Sequence, residues 1–185
     1  MLRYQQADAA ATTVLIGQVS PVLLRFFRSQ CGSRAEAEDL LQDTWLQIHK
    51  VRHTYRSGEP LLPWIYEIAR HVKVDSYRRS QRIRSREQSM SPLPELSARF
   101  SSSSSEISDF ATLIAVLPPS QREVVSMLKM GEMSLAEVAR ATSSSVGSVK
   151  LKAHRAYATL RGVLKNPTPK HEPSKVRHED HRDAV

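Results

Sequence analysis

The sequence predicts an all-α protein of two small helical domains, an N-terminal helical bundle and a C-terminal helix-turn-helix, joined by a flexible linker. Apolar residues recur at steps of three and four in both halves and do not alternate with polar residues over strand-length windows. Two stretches rich in proline, serine or charge interrupt this pattern, at 89–108 and 166–185. We expect a flexible linker and a disordered tail there. The folded domains are then 6–88 and 109–165.

Short capping signals mark most helix starts. Three serines are each followed three residues later by a glutamate, the spacing of a capping box: Ser33 with Glu36, Ser120 with Glu123 and Ser134 with Glu137. Ser20-Pro21 predicts another start, because proline is tolerated in a first helical turn. The predicted helices span 7–19, 20–31, 34–52, 61–88, 109–117, 120–130, 134–141 and 145–164, with a loop at 53–60.

Composition narrows the classes of function. The formal net charge of +8 and the pI of about 9.9 predict a polyanionic partner, either nucleic acid or an anionic membrane surface. No apolar run approaches the roughly 18 residues of a membrane span, and the N-terminus lacks a signal-peptide pattern. We therefore expect a cytoplasmic protein without membrane insertion. The single cysteine, Cys31, excludes an intrachain disulfide and a zinc site of paired cysteines.

The clearest functional pattern lies between Ser134 and Leu164. A short capped helix is followed by a polar turn at 142–144 and a longer helix, and the small Ala139 lets the two helices approach closely. The second helix of such a pair can enter a major groove. An ordinary helical hairpin has the same periodicity, but the cap, the short turn and the basic face favour DNA binding. The predicted inward seam is Val146, Val149, Ala153, Ala156, Leu160 and Val163; the outward residues are Lys150, Lys152, His154 and Arg155, with Ser144, Ser145 and Ser148 at the start.

A second pattern is a basic helix end. The segment from Ala69 to Arg86 contains seven basic residues and one acidic residue, Asp75. Such a segment is suited to follow a phosphate backbone. Tyr55, in the preceding loop, is a candidate to stack on an unpaired base. Core packing is the better interpretation for Trp64 and Tyr66. The cations are Arg70, Lys73, Arg78, Arg79, Arg82, Arg84 and Arg86.

A third pattern is an acidic face on the helix 34–52. Glu36, Asp39 and Asp43 follow one another at helical steps, opposite an inward stripe of Leu40, Leu41, Trp45 and Ile48. An acidic face on a basic protein is suited to a basic protein partner, although a solvated face has the same spacing. Catalytic patterns are absent: we expect no catalytic residue, no metal and no cofactor. One enzymatic alternative stays open, a nucleic-acid-processing enzyme that holds a metal with Asp39 and Asp43.

Taken in the order in which they occur along the chain, the three patterns resemble the extracytoplasmic-function family of RNA polymerase sigma factors. The segment AEAEDLLQDTWLQIHK resembles the family's docking segment for core RNA polymerase. The segment PWIYEIARHVKVDSYRR resembles the family's segment that reads and melts the −10 element. The segments LPPSQREVVSMLKMGEMSLAEVA and SVGSVKLKAHRAYATLR resemble the region that reads the −35 element. The resemblance covers roughly residues 10 to 165.

The resemblance implies partners and a site for each. Core RNA polymerase and promoter DNA are the partners, and an anti-sigma factor is expected as an inhibitor. Polymerase contacts fall on Asp39, Gln42 and Asp43. Contacts with the −10 element fall on Tyr55, Arg70, His71, Lys73, Arg78 and Arg79. Contacts with the −35 element fall on Ser148, Lys150, Leu151, Lys152, His154 and Arg155. A helix-turn-helix regulator that acts without polymerase remains the alternative.

Overall fold

A computed structural model describes residues 1–87 and 105–165, and within these ranges all regular structure is helical. The predicted linker 89–108 lies mostly outside the described residues, and the predicted tail 166–185 lies wholly outside them. The helices are α1 Leu2–Gln5, α2 Ala9–Gln30, α3 Arg34–Val51, α4 Leu61–Glu87, α5 Ser105–Ala115, α6 Pro119–Met130, α7 Leu135–Ala141 and α8 Val146–Lys165, with a 3₁₀ turn at Arg52–Thr54.

Helix α2 corrects the predicted break at Ser20-Pro21, because the helix runs through Pro21 without interruption. A proline inside a helix removes one backbone hydrogen bond and costs about 3 kcal/mol. Burial on both sides of the proline offsets this cost, since a single helix face carries the core residues of the whole segment. These are Leu15, Val19, Leu23, Phe26 and Phe27.

By length and composition alone, α2 is also the one described helix that is long and apolar enough to cross a membrane. This corrects the expectation that no stretch approaches that length. The core helices of water-soluble proteins can have the same length and composition. In this chain Leu23, Phe26 and Phe27 are completely buried by neighbouring helices.

Two of the three predicted serine caps are present. Ser134 accepts a hydrogen bond from the Glu137 backbone N–H, and the Glu137 carboxylate accepts one from the Ser134 backbone N–H, so the capping box is complete. Ser33 caps α3 in the same way, but Glu36 accepts from the backbone N–H of Gly32.

The third cap, at Ser120, is wrong. Helix α6 begins one residue earlier, at Pro119, and no side chain caps it. Glu123, the predicted partner in the box, instead contacts Lys73 and Arg70 of α4. Helix α5 also departs from the prediction, because it begins at Ser105 rather than at 109.

The core has two parts. The C-terminal helices α5–α8 enclose a small cluster of their own, formed by Ile114, Leu117, Val125, Ala156 and Leu160. The larger cluster is built on the N-terminal helices α1–α4 and continues without a gap into α6, α7 and α8. The C-terminal helices are therefore packed directly on the N-terminal helices, mainly through α2 with α6 and α4 with α7.

Candidate nucleic-acid and polymerase interfaces

Helices α7 and α8 form the predicted helix-turn-helix. Val138 and Ala139 of α7 are buried, as are Val149 and Ala153 on the facing side of α8. In the turn, Ser143 has a φ of 48°, the left-handed conformation that reverses the chain between the helices. Ser145 accepts a hydrogen bond from the backbone N–H of Ser148 and so holds the first turn of α8.

One face of α8 is free of contacts with the core. Lys150, Leu151, His154 and Arg155 are exposed and repeat at four-residue steps, which places them on one side of the helix. Leu151 has half of its surface in solvent. The arrangement offers two cations, an imidazole and an apolar contact to one groove.

Two residues of α8 differ from their predicted positions, Lys152 and Val146. Lys152 is half-buried, because two residues are 200° of helical rotation and carry it away from the face of Lys150. Ser148 is half-buried as well. Val146, predicted in the inward seam, is 47% exposed, since it lies in the first turn of α8, ahead of the contact with α7.

The basic helix end predicted on α4 divides into two sets. His71, Arg78 and Arg79 are exposed, and the 3.9 Å pair of Arg78 with Asp75 lies in solvent, where it is weak. Arg70 and Lys73 are half-buried under α6. The Lys73 ammonium lies 2.7 Å from one carboxylate oxygen of Glu123, and Arg70 Nε lies 3.5 Å from the other.

The loop before α4 is held at both ends. Gln5 of α1 donates its side-chain N–H groups to the carbonyl oxygens of Arg52 and Tyr55. Gly58 has a φ of 89°, a conformation that favours glycine. The Tyr55 hydroxyl donates to the Glu59 carbonyl oxygen at 2.5 Å.

The three aromatic residues of this region differ in their burial. Tyr66 is completely buried, which confirms the prediction of a core position, and burial raises the pKa of its phenol. Trp64 is partly buried and packs against the core. The Tyr55 ring meets the Trp64 ring edge-on, with 5.4 Å between centroids. Both rings line a cavity of about 320 Å³, and Arg140 of α7 lines it as well.

Helix α3 presents the predicted acidic face. Asp39, Gln42 and Asp43 are exposed, while the inward stripe is buried at Leu40 and Ile48. Leu46 was missed: it is 55% exposed and lies three residues after Asp43, on the same face. The helical spacing from Asp39 to Asp43 and Leu46 could have identified it. An apolar centre beside two carboxylates suits a protein partner better than solvent.

Among residues 1–87 and 105–165, no group of three or more histidine, cysteine, aspartate or glutamate side chains is placed to hold a metal ion. Asp39 and Asp43 therefore have no third ligand within the described ranges. The acidic face of α3 therefore does not support the alternative of a metal-dependent enzyme built on Asp39 and Asp43.

Two family models match the chain, Sigma-70 region 2 over residues 15–83 and Sigma-70 region 4 over residues 107–160. The ECF RNA polymerase sigma factor SigF of Caulobacter vibrioides is 31% identical over 164 residues, which cover 86% of this chain and 89% of that protein. The RNA polymerase sigma factor CarQ of Myxococcus xanthus is 29% identical and covers 89% of this chain and 95% of that protein.

The fold also matches a solved structure. The sigma factor RpoE of Bartonella quintana, in complex with the anti-sigma factor NepR, has a TM-score of 0.70 to this chain at 22% identity, over 85% of this chain and 99% of that one. At this identity the likeness concerns the fold. Together with the family models and the sequence relatives, it leads to one conclusion: the chain belongs to the extracytoplasmic-function family of RNA polymerase sigma factors.

Proposed function

We propose that the two parts of this sigma factor divide promoter recognition between them. The chain directs transcription initiation together with core RNA polymerase, as its family does. Residues 6–88 bind the polymerase and open the −10 element, and 109–165 read the −35 element. The observation that carries this division is the separation of two faces: a basic face on α8 and an acidic face on α3.

The polymerase-binding face consists of Asp39, Gln42 and Asp43, with Leu46 added from the structure. Their common exposure on α3 supports the assignment. Carboxylates at the rim of an interface steer a basic partner, whereas an apolar side chain that loses its water on docking provides most of the affinity. We therefore assign orientation to Asp39 and Asp43 and affinity to Leu46.

The −10 face consists of the loop at 53–60 and the outer side of α4. Tyr55 lines the cavity beside Trp64, where an unpaired base would recover part of the few kcal/mol that unstacking costs. His71, Arg78 and Arg79 are exposed and suited to phosphates. Arg70 and Lys73 complete the surface once Glu123 has moved away from them.

The −35 face consists of Lys150, Leu151, His154 and Arg155. Their common exposure supports direct contacts with base edges and phosphates in a major groove. Ser148 and Lys152 lie beside this face, and we assign them to the phosphate backbone. The chain itself performs no catalysis in this scheme; it positions the polymerase in the cytoplasm.

We further propose that an anti-sigma factor controls the chain. The support is the fold shared with RpoE, which was solved in complex with the anti-sigma factor NepR. The chemistry of such an inhibitor follows from the faces it must cover, so we expect cations opposite Asp39 and Asp43 and an apolar side chain at Leu46.

Run-off transcription on a promoter library tests the proposed function directly. Purified chain and sigma-free core polymerase are expected to form a stable complex and to start transcripts at a defined pair of elements. Core polymerase alone is the control for background initiation. A chain that forms no complex with core polymerase contradicts the proposal and favours a regulator that acts without it.

A further inference from the structure

We propose that the free chain holds itself in a closed arrangement, in which α6 packs on α2, α7 packs on α4, and the Glu123 carboxylate of α6 pairs with the proposed phosphate-binding cations Arg70 and Lys73. The proposal rests on the proposed −10 role of these two cations. It adds a regulation of that site by a segment of the same chain, so that DNA must displace Glu123 before the −10 face is complete.

The contact between the two halves has the character of a core. Phe26 and Tyr66 of the N-terminal helices belong to the same buried cluster as Val124, Met127 and Val138 of the C-terminal helices. All five are at most 1% exposed. Buried apolar area on this scale stabilises a packed state, whereas two domains that merely share a tether would leave these side chains in water.

Polar pairing makes the contact specific. The hydroxyl oxygens of Ser29 in α2 and Ser126 in α6 lie 2.8 Å apart, and both residues are buried. The Gln30 amide donates to both oxygens, at 2.9 and 3.2 Å. Each hydroxyl also contacts a carbonyl oxygen of its own helix, Phe26 for Ser29 and Arg122 for Ser126. A shift of one residue would separate the two hydroxyls from each other, so the contact across the helices favours this register.

Glu123 imitates a phosphate in this arrangement. Its two carboxylate oxygens lie near an ammonium and a guanidinium, as phosphate oxygens do in a DNA complex. Only 12% of its side chain is exposed, and 22% of the Lys73 side chain. A cation buried to this extent needs an anion beside it, so water cannot replace Glu123 easily, whereas a DNA phosphate can.

A second contact reaches the loop that we assign to the −10 element. The Arg140 guanidinium of α7 lies 2.6 Å from the Glu59 carboxylate. Both side chains are more than half exposed, so the pair contributes about 1 kcal/mol at most. Its consequence is steric, because α7 borders the cavity beside Tyr55 and Trp64.

In the closed arrangement the −10 face is partly covered, whereas the −35 face is exposed. Lys150, Leu151, His154 and Arg155 stay exposed, so the −35 face remains available. Elements about 20 base pairs apart are separated by roughly 70 Å of duplex, at 3.4 Å per base pair. Helices in direct contact cannot reach both elements, and the halves must separate when promoter and polymerase bind.

A reversible crosslink tests this inference. Because the hydroxyl oxygens of Ser29 and Ser126 are 2.8 Å apart, Ser29→Cys with Ser126→Cys in a Cys31→Ser background should form a disulfide on oxidation. We expect the oxidised full-length chain to lose at least about tenfold in run-off transcription and in affinity for single-stranded −10 DNA, with recovery on reduction, while duplex −35 affinity is unchanged. Ser126→Cys alone, in the same Cys31→Ser background and oxidised in parallel, is the control.

Two results overturn the closed arrangement: cysteines that do not crosslink, or oxidised and reduced forms that transcribe equally. A reduced protein that cannot transcribe with core polymerase contradicts the proposed function instead, so the two failures are distinguishable.

A charge variant tests the imitation of phosphate without a crosslink. Glu123→Gln should raise the affinity of the full chain for single-stranded −10 DNA about fivefold, because Arg70 and Lys73 lose their internal anion. Glu132→Gln removes the same charge from an exposed position of the same half and is the matched control. Equal affinities of the two variants overturn the role of Glu123.

Discussion

Trp45 of α3 donates a hydrogen bond of 2.9 Å from its indole nitrogen to the hydroxyl oxygen of Ser20 in α2. Ser20 lies inside the continuous helix α2, and its hydroxyl contributes to the packing of α2 on α3 instead of capping a helix. It also joins the helix that carries the proposed polymerase face to the central helix of the N-terminal core.

The first prediction concerns this bond. Ser20→Ala should lower the free energy of unfolding by about 1–2 kcal/mol, because the half-buried indole N–H loses its partner. Urea denaturation measures the change, and Ser80→Ala on the exposed side of α4 is the control. Trp45→Phe combined with Ser20→Ala should cost less than the sum of the single changes. Strict additivity would show that the two groups do not interact.

The second prediction concerns the acidic face of α3. Asp39→Lys with Asp43→Lys should abolish binding to core polymerase, and Leu46→Ala alone should weaken it by about 1–2 kcal/mol through the loss of an apolar contact. Binding is measured with labelled full-length chain, and affinity for duplex −35 DNA checks that the fold is intact. Glu132→Lys makes a charge reversal elsewhere and should bind polymerase normally. Retained binding by the double variant contradicts the assignment.

Local signals in the sequence were sufficient for most helix boundaries. The capping box at Ser134 and Glu137 is complete, and the cap at Ser33 is present, because both depend on atoms three residues apart. The exposed positions of Lys150 and Arg155 followed from helical periodicity in the same way. Each of these signals depends only on residues within a single helix and the turn before it.

The errors arose where distant partners compete with local ones. Glu123 has capping-box spacing from Ser120, yet its carboxylate pairs with Lys73 and Arg70, fifty or more residues away. The proline at 21 predicts a break, but burial on both sides of it keeps α2 continuous. Direct packing of the C-terminal helices on the N-terminal helices has no local signal, so the predicted separation by a linker gave no indication of it.

The third prediction concerns the capping box before α7. Hydrogen bonds from the Ser134 backbone N–H and hydroxyl hold the pKa of Glu137 below its usual range. A carboxyl whose pKa is lowered by folding stabilises the fold above its unfolded pKa, and this contribution is lost as pH falls through the folded pKa. Stability should therefore decline in acid, and Glu137→Gln should make that decline shallower. Melting temperature against pH measures it, and Glu132→Gln should keep the original slope.

The fourth prediction uses the single cysteine. Burial, with a smaller effect of the Glu36 carboxylate, raises the pKa of Cys31 to about 12. Because only the thiolate attacks a disulfide reagent, the native chain at pH 8 should react at least about a hundredfold more slowly than a free thiol. Unfolding in urea should restore the ordinary rate. Equal rates in the native and unfolded chain would show that Cys31 is accessible and that its thiol is not desolvated.

The fifth prediction separates base reading from phosphate contact on α8. Arg155→Ala should weaken binding to the cognate −35 element by about 1–3 kcal/mol if the guanidinium contacts a base edge, with little change on unrelated duplex DNA. Arg161→Ala is the matched control, because it removes the same exposed group from the same helix outside the proposed face.

Affinities for cognate and unrelated duplexes across a salt series distinguish the two roles of Arg155. A phosphate contact would weaken both duplexes equally and reduce the salt dependence by about one released ion. An unchanged salt dependence together with a loss confined to the cognate site would assign Arg155 to sequence reading. Since Leu151 lies on the same exposed face, Leu151→Ala should reduce cognate binding without any change in salt dependence, because its contact is apolar.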